Sequence, residues 1–315
     1  MTDRSIALIF PGQGCQFVGM GADLQAIPEA RATFEEADDL LGFYLSRLCF
    51  EGPEALLNDT ANTQPAVYVT SVALWRALDA RFPLLSSQVA FLAGHSLGEY
   101  TALTVAGALP FRQGVPLVAA RAEAMRDAGA TSPGGMMAIL GLEKAQVAQL
   151  VADVGGEAAG LWMANDNAPG QIVIAGTQEA LARAGELAKE RGAKRVVPLA
   201  VSVPCHTPLM KAAAERLSEV LERTPFQRPW APVVSNAMAT PLSDPAEIKA
   251  ALIQQLSSPV RWVESVERMA SAGASRMIEI GPKAVVSGLV KRICPAVAAQ
   301  AVTNAAEIDA LTFEE

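Results

Sequence analysis

The run Gly94-His95-Ser96-Leu97-Gly98 lies between an apolar segment, Val89–Ala93, and a helix-forming one, Glu99–Ala108. A serine at that spacing, between a strand and a helix, has the form of a nucleophile elbow. The turn holds the serine in a strained backbone conformation, so glycines at 94 and 98 must leave room on both sides. The helix that follows points free N–H groups back at the hydroxyl, where they can stabilise negative charge. A plain glycine-rich connector is the alternative use of the same five residues.

A serine hydroxyl attacks only with a base beside it, and the chain has just two histidines, His95 and His206. Side chains of successive residues leaving a strand point to opposite sides, which puts His95 out of reach of Ser96. That leaves His206, which is either the base or a structural histidine hydrogen-bonded near a helix cap; the elbow favours the base. It precedes Thr207-Pro208, an N-cap followed by proline at the first helical position, and the dipole there favours a neutral imidazole. Its adjacent Cys205 reads as packing.

Gly12-Gln13-Gly14, with Gly19 beyond, has neither dinucleotide-loop spacing nor the Lys-Ser/Thr of a phosphate loop. It is either a simple turn after the first strand or a source of a second oxyanion-holding N–H, which needs small residues for close approach. Arg121 is the last candidate. In a helix from Val115 to Asp127, Leu117, Val118, Arg121 and Met125 share one face, while Glu123 and Arg126 lie off it. An interior guanidinium needs an anion, and positions i±3 and i±4 offer none. Either a distant Asp or Glu supplies it, or a substrate carboxylate does.

These groups need a scaffold, and the composition provides one. Of 315 residues 51% are hydrophobic, 18% charged and 5% aromatic, which excludes a disordered chain and leaves Ala, Leu and Val to build the core. The length suggests one large domain, or a large one with a smaller partner. Against 25 basic residues stand 33 acidic ones, a net charge of −8 with no basic stripe, which argues against nucleic acid. Four dispersed cysteines and two histidines leave little room for a structural zinc. Ile6–Phe10 is too short for a signal peptide and no run approaches a membrane span, so a cytoplasmic protein is expected.

Ile6–Phe10 and Val89–Ala93 read as buried strands and Glu29–Leu41 and Ala66–Phe82 as helices, the alternation of a parallel α/β sheet. The middle reads as strand Met136–Leu140, helix Glu143–Val154, strands Leu161–Ala164 and Gln171–Ala175 around an Asn165–Gly170 turn, helix Thr177–Arg191 and strand Lys194–Val201. That β-α-β-β-α-β order predicts a ferredoxin-like unit over 132–203, inserted in a large domain of 1–131 and 204–315. A helix to about Arg223 follows, with Val233–Ser235 and Met277–Ile280 as the last strands. The acidic tail Phe313–Glu315 is expected to fray.

Taken together, Phe10-Pro-Gly-Gln-Gly-Cys-Gln16, Thr63-Gln-Pro-Ala66, Gly94-His-Ser-Leu-Gly-Glu-Tyr100, Arg121, Asn165-Asp-Asn-Ala-Pro-Gly-Gln-Ile-Val-Ile-Ala-Gly176, Val203-Pro-Cys-His206, Ser258-Pro-Val-Arg-Trp262 and Glu279-Ile-Gly-Pro282 resemble the malonyl-CoA:acyl carrier protein transacylases. The motifs follow the family's order from residue 5 to about 293. The resemblance implies an α/β-hydrolase-like large domain with a ferredoxin-like insertion. It also implies malonyl transfer from malonyl-CoA to an acyl carrier protein, most readily for fatty acid synthesis, with coenzyme A as product and no bound cofactor. Ser96 takes the acyl group and His206 is its base. Backbone amides of Gln13 and Leu97 form the oxyanion hole, and Arg121 holds the malonyl carboxylate. The carbonyl of Gln255 orients the histidine, and Gln64 lines the same pocket. Cys15 and Cys205 stand where serine is usual, and Lys283 where glycine is common. A serine thioesterase, a silent carrier-binding module, and a trans-acting acyltransferase of a polyketide or malonate decarboxylase system are the alternatives.

Overall fold

Five consecutive buried residues make β1 (Ile6–Phe10), and their alternation divides them between two cores. Ile6, Leu8 and Phe10 enter one apolar cluster and Ala7 and Ile9 another, as the two-residue period of a strand requires. Such a strand, apolar on both faces, belongs inside a parallel sheet covered on both sides. The computed structural model describes residues 4–131, 133–201 and 203–313. In it β1 lies between β2 (Val89–Gly94) and β10 (Arg276–Ile280), parallel to both. With β7 (Val233–Val234), β8 (Pro241–Leu242) and β11 (Ala298–Val302) they form one sheet in the order β11-β10-β1-β2-β7-β8. Only the β7–β8 pair is antiparallel.

The second sheet takes β3 (Gly135–Leu140), β4 (Leu161–Ala168), β5 (Gln171–Gly176) and β6 (Arg195–Pro198) in the order β6-β3-β5-β4, all antiparallel. This is the expected ferredoxin-like arrangement. Its helices, Lys144–Val154 and Gln178–Glu190, cover one face through Val147, Leu150 and Leu181. Met136, Ala138, Val173 and Ala175 turn from the opposite face toward the main core.

Several boundaries differ from the sequence reading. The Asn165–Gly170 stretch is not a turn up to its last two residues: β4 continues to Ala168 through two bulges. The short strand β9 (Val260–Arg261) pairs with Asn165 and Asp166, so the backbone finds ladder partners there and ties the second sheet to the C-terminal part of the chain. The helix expected from Ala66 begins at Thr60, because the Asp59 carboxylate accepts from the Ala61 N–H and caps it earlier; Pro65 falls inside. Thr207 does not cap a helix. Its hydroxyl donates to the Pro204 carbonyl, a 3₁₀ turn spans Pro208–Met210, and the α-helix starts at Lys211. The expected strand Lys194–Val201 is confined to Arg195–Pro198, and β11 was not anticipated. Of the acidic tail, Glu314 and Glu315 lie outside the described residues.

Candidate active site

The turn after β2 is as tight as the glycines require. A Cβ on Gly94 would lie 1.9 Å from the Gly98 carbonyl, and one on Gly98 2.3 Å from the Phe10 carbonyl oxygen. Between them Ser96 sits at φ +52°, a left-handed conformation that costs a non-glycine residue about 1–3 kcal/mol. Asn236 offsets that strain: its side-chain oxygen accepts from the Ser96 N–H at 2.6 Å and its amide donates to the Gly94 carbonyl at 2.6 Å. The loop after β1 comes equally close, since a Cβ on Gly12 would be 2.5 Å from the His95 oxygen.

Ser96 Oγ lies 2.8 Å from His206 Nε2, across 110 residues of chain. His206 Nδ1 donates to the Gln255 carbonyl at 2.9 Å, which fixes the tautomer and leaves Nε2 free to accept the serine proton. Burial first, and the positive charge of Arg121 second, push the imidazole down to about 3, so it is neutral and basic in form at neutral pH. The helix dipole invoked from sequence is not the cause, the helix starting only at Lys211. His95 is turned away from the serine: its Nε2 meets Asn167 Oδ1 at 2.7 Å and its ring stands edge-on to Trp262.

Arg121 is 1% exposed, on the face predicted for it with Leu117, Val118 and Met125. Its partners are neutral. Nη1 donates to Gln64 Oε1 at 2.5 Å, and Nη2 to Gln255 Oε1 and Ser96 Oγ at 3.1 Å each. Among the described residues Nε has no partner and no carboxylate lies within ion-pair distance of the guanidinium. A buried cation held by neutral oxygens, one of them the Ser96 hydroxyl, has the charge and geometry to receive an anion. Gln64, expected to line the pocket, does not reach the cavity: completely buried, it sits behind this guanidinium and donates its amide to Met125 Sδ at 3.1 Å.

These groups surround a cavity of about 310 Å³ between the two sheets. Ser96, Leu97, Arg121 and His206 form one wall; Met136 and Val173 of the second sheet form the opposite one. Gln13 and Leu97 both line it, and neither backbone N–H donates to any acceptor among the described residues, which leaves two amides for an oxyanion. Cys205 lines the cavity too. Burial pushes its thiol up to about 11, so it stays protonated and inert. Another wall is held by Glu279, whose buried carboxylate accepts from the N–H groups of Val285, Val286 and Ser287 and so seats the helix carrying Val286 and Leu289.

Two residues of the site carried no role in the sequence reading. Asn236 stands 140 residues from Ser96 with no local pattern to mark it. Glu99 had a signal: it is the one acid in Gly98–Val105, a helix buried on nearly every side. It is 3% exposed, and burial pushes its carboxyl up to about 7 against the opposing effects of hydrogen bonds from Gln255 and Asn236 and the charge of Arg121.

The fold and motifs define an acyl transferase: the family model described as "Acyl transferase domain" matches residues 7–308. The malonyl CoA-acyl carrier protein transacylase of Bacillus subtilis is 46% identical over 289 residues, covering 91% of this chain and 90% of that protein. An acyl carrier protein S-malonyltransferase from Vibrio cholerae superposes with a TM-score of 0.92 at 46% identity, over 97% of this chain and 99% of that one. A malonyl-transacylase solved in complex with a type II polyketide acyl carrier protein does so with 0.92 at 43%, over 97% and 98%. The chain belongs to the acyl transferase family, among the malonyl-CoA:acyl carrier protein transacylases.

Proposed function

We propose that this enzyme moves a malonyl group from malonyl-CoA to the phosphopantetheine thiol of an acyl carrier protein, in fatty acid or polyketide synthesis, through an ester on Ser96. His206 Nε2 takes the Ser96 proton as Oγ adds to the thioester carbonyl, and the Gln13 and Leu97 amides hold the oxyanion. The C–S bond breaks, and the imidazolium returns the proton to the coenzyme A thiolate. In the second half the carrier thiol gives its proton to His206, its sulfur adds to the ester carbonyl, and as the C–O bond breaks the imidazolium returns that proton to Ser96 Oγ.

One observation carries the assignment: Ser96 Oγ stands between a neutral imidazole at 2.8 Å and a buried guanidinium at 3.1 Å. The imidazole supplies the nucleophile. The guanidinium, without a carboxylate of its own, selects an acyl group that brings one. In this assignment residues 1–131 and 204–315 supply the reacting groups and 132–203 closes the acyl pocket. A hydroxyl, an imidazole, amides and a guanidinium suffice, so no resident cofactor is called for. The substrates are those of a cytoplasmic enzyme, and no helix among the described residues is long and apolar enough to cross a membrane.

The test is intact-mass spectrometry after mixing with malonyl-CoA. Wild type gains one malonyl group, which holo carrier removes, and Ser96→Ala gains none. An adduct that persisted on Ser96→Ala would overturn the nucleophile. Release of free malonate with little carrier loading would make the protein a thioesterase instead.

A further inference from the structure

A single carboxylate oxygen joins the parts of the site that come from distant segments. Glu99 Oε2 accepts from the side-chain amide of Gln255 at 2.7 Å and from the backbone N–H of Asn236 at 3.1 Å. Asn236 is the residue that braces the backbone leading into Ser96, bonding the Ser96 N–H and the Gly94 carbonyl. Gln255 presents its carbonyl to His206 and its side-chain oxygen to Arg121, while its amide also donates to the Ser96 carbonyl at 3.0 Å.

The charges leave Gln255 one orientation. Its NH₂ must face the acceptor Glu99 and its oxygen the donor Arg121; a flipped amide would set oxygen against carboxylate and NH₂ against guanidinium. From this geometry we propose that Glu99 is a positioning residue, locking the Gln255 amide and the Asn236 backbone so that nucleophile, imidazole and guanidinium are held in register. The role rests on the malonyl-transfer assignment above. Glu99 touches no reacting atom; it acts through Gln255 and Asn236. Its place on the first turn of the Gly98–Val105 helix suits an acid there.

The experiment compares two conservative variants by rapid-quench acylation with malonyl-CoA, on protein shown by circular dichroism to be folded. In Glu99→Gln the amide oxygen can take both hydrogen bonds, and the acylation rate stays within about threefold of wild type. In Glu99→Asp the charge remains but the oxygen retreats by about 1.5 Å, one carbon–carbon bond. The rate falls by roughly 10- to 100-fold, the scale of an ångström's misplacement of reacting groups. In a Gln255→Ala background, which keeps the carbonyl that holds His206, the Glu99→Asp loss shrinks at least threefold, on the order of 0.7 kcal/mol of coupling. A residue that only stabilises the fold would lower melting temperature and leave the rate of the folded protein and this coupling unmoved. Equal rates for the Asp and Gln variants, or a loss undiminished in the Gln255→Ala background, would overturn the role of Glu99. Wild type is malonylated in the same series: no adduct on Ser96 would remove the functional assignment itself, whereas a normal adduct with equal variants would remove only the positioning role.

Discussion

Replacing Arg121 with alanine separates the enzyme's chemistry from its choice of substrate. The guanidinium is 1% exposed and holds its place through three neutral acceptors, so a bound malonyl carboxylate would complete a buried ion pair. Removing one partner of such a pair strands the other charge at about 3–5 kcal/mol, or roughly 10²- to 10⁴-fold in kcat/KM. An acetyl group carries no charge and gives up the guanidinium's hydrogen bond to Ser96 Oγ, on the order of 1 kcal/mol or about fivefold, against which the loss of the Arg121 charge relieves part of the depression of His206. The ratio of malonyl-CoA to acetyl-CoA acylation should therefore fall by 10-fold or more, with acetyl favoured in relative terms. The assay is the ratio of the two acylation rates on one preparation, in which any loss of folded protein cancels. Loss is expected, because the Gln64 and Gln255 oxygens are left unpaired. A mutant that kept its preference for malonyl would refute the carboxylate clamp.

Two further outcomes follow from the same geometry. Gly98→Ala places a Cβ 2.3 Å from a backbone oxygen of β1, a collision no rotamer relieves, so it should cost about 3 kcal/mol or more and several degrees in melting temperature by calorimetry; an unshifted melting curve would contradict the tight packing of the elbow on β1. His206, held down to about 3, binds its proton less tightly folded than unfolded. Its contribution to stability is complete above pH 6.5 and is lost as pH falls toward 3, on the order of 5 kcal/mol across that window. Glu99, pushed up to about 7, has the opposite sign and is lost as pH rises from 4.5 through 7. Denaturant titrations of wild type and His206→Gln across pH 6.5 to 4 should show the acid-side slope flattened in the variant, and equal slopes would refute the burial of a neutral imidazole.

The elements legible in the sequence were those whose own composition decides them. Ile6–Phe10 and Val89–Ala93 are apolar on both faces and can only be central strands; the stripe of Leu117, Val118, Arg121 and Met125 can only face inward. What escaped depends on distant partners. Asn165 and Asp166 have turn-forming side chains, yet β9 gives their backbone a ladder, and Asn167 spends its oxygen on His95. Ala298–Val302 has the composition of a helix and becomes a strand because β10 offers it a parallel edge. Thr207 looked like a cap until Pro204 took its hydroxyl. In the site, serine and base followed from a motif and from the scarcity of histidine. Asn236 could not, since only tertiary closure brings its amide to the elbow.

The same closure couples selection to catalysis. Arg121 is the second cause, after burial, of the depressed basicity of His206, and its Nη2 donates to the same Ser96 hydroxyl that His206 Nε2 meets. In the proposed reaction a substrate carboxylate paired with Arg121 offsets that charge, the smaller of the two causes, and relieves part of the depression that burial leaves in place. An uncharged acyl group has no charge with which to make that offset. The expected outcome is a malonyl preference in the single-turnover acylation rate constant as well as in binding, and a preference confined to binding would refute this coupling. The coupling also accounts for why the cation is held by amide oxygens. A resident carboxylate at ion-pair distance would satisfy Arg121 permanently and free the imidazole for any thioester, whereas Gln64 and Gln255 fix its position and leave its charge for the substrate to answer.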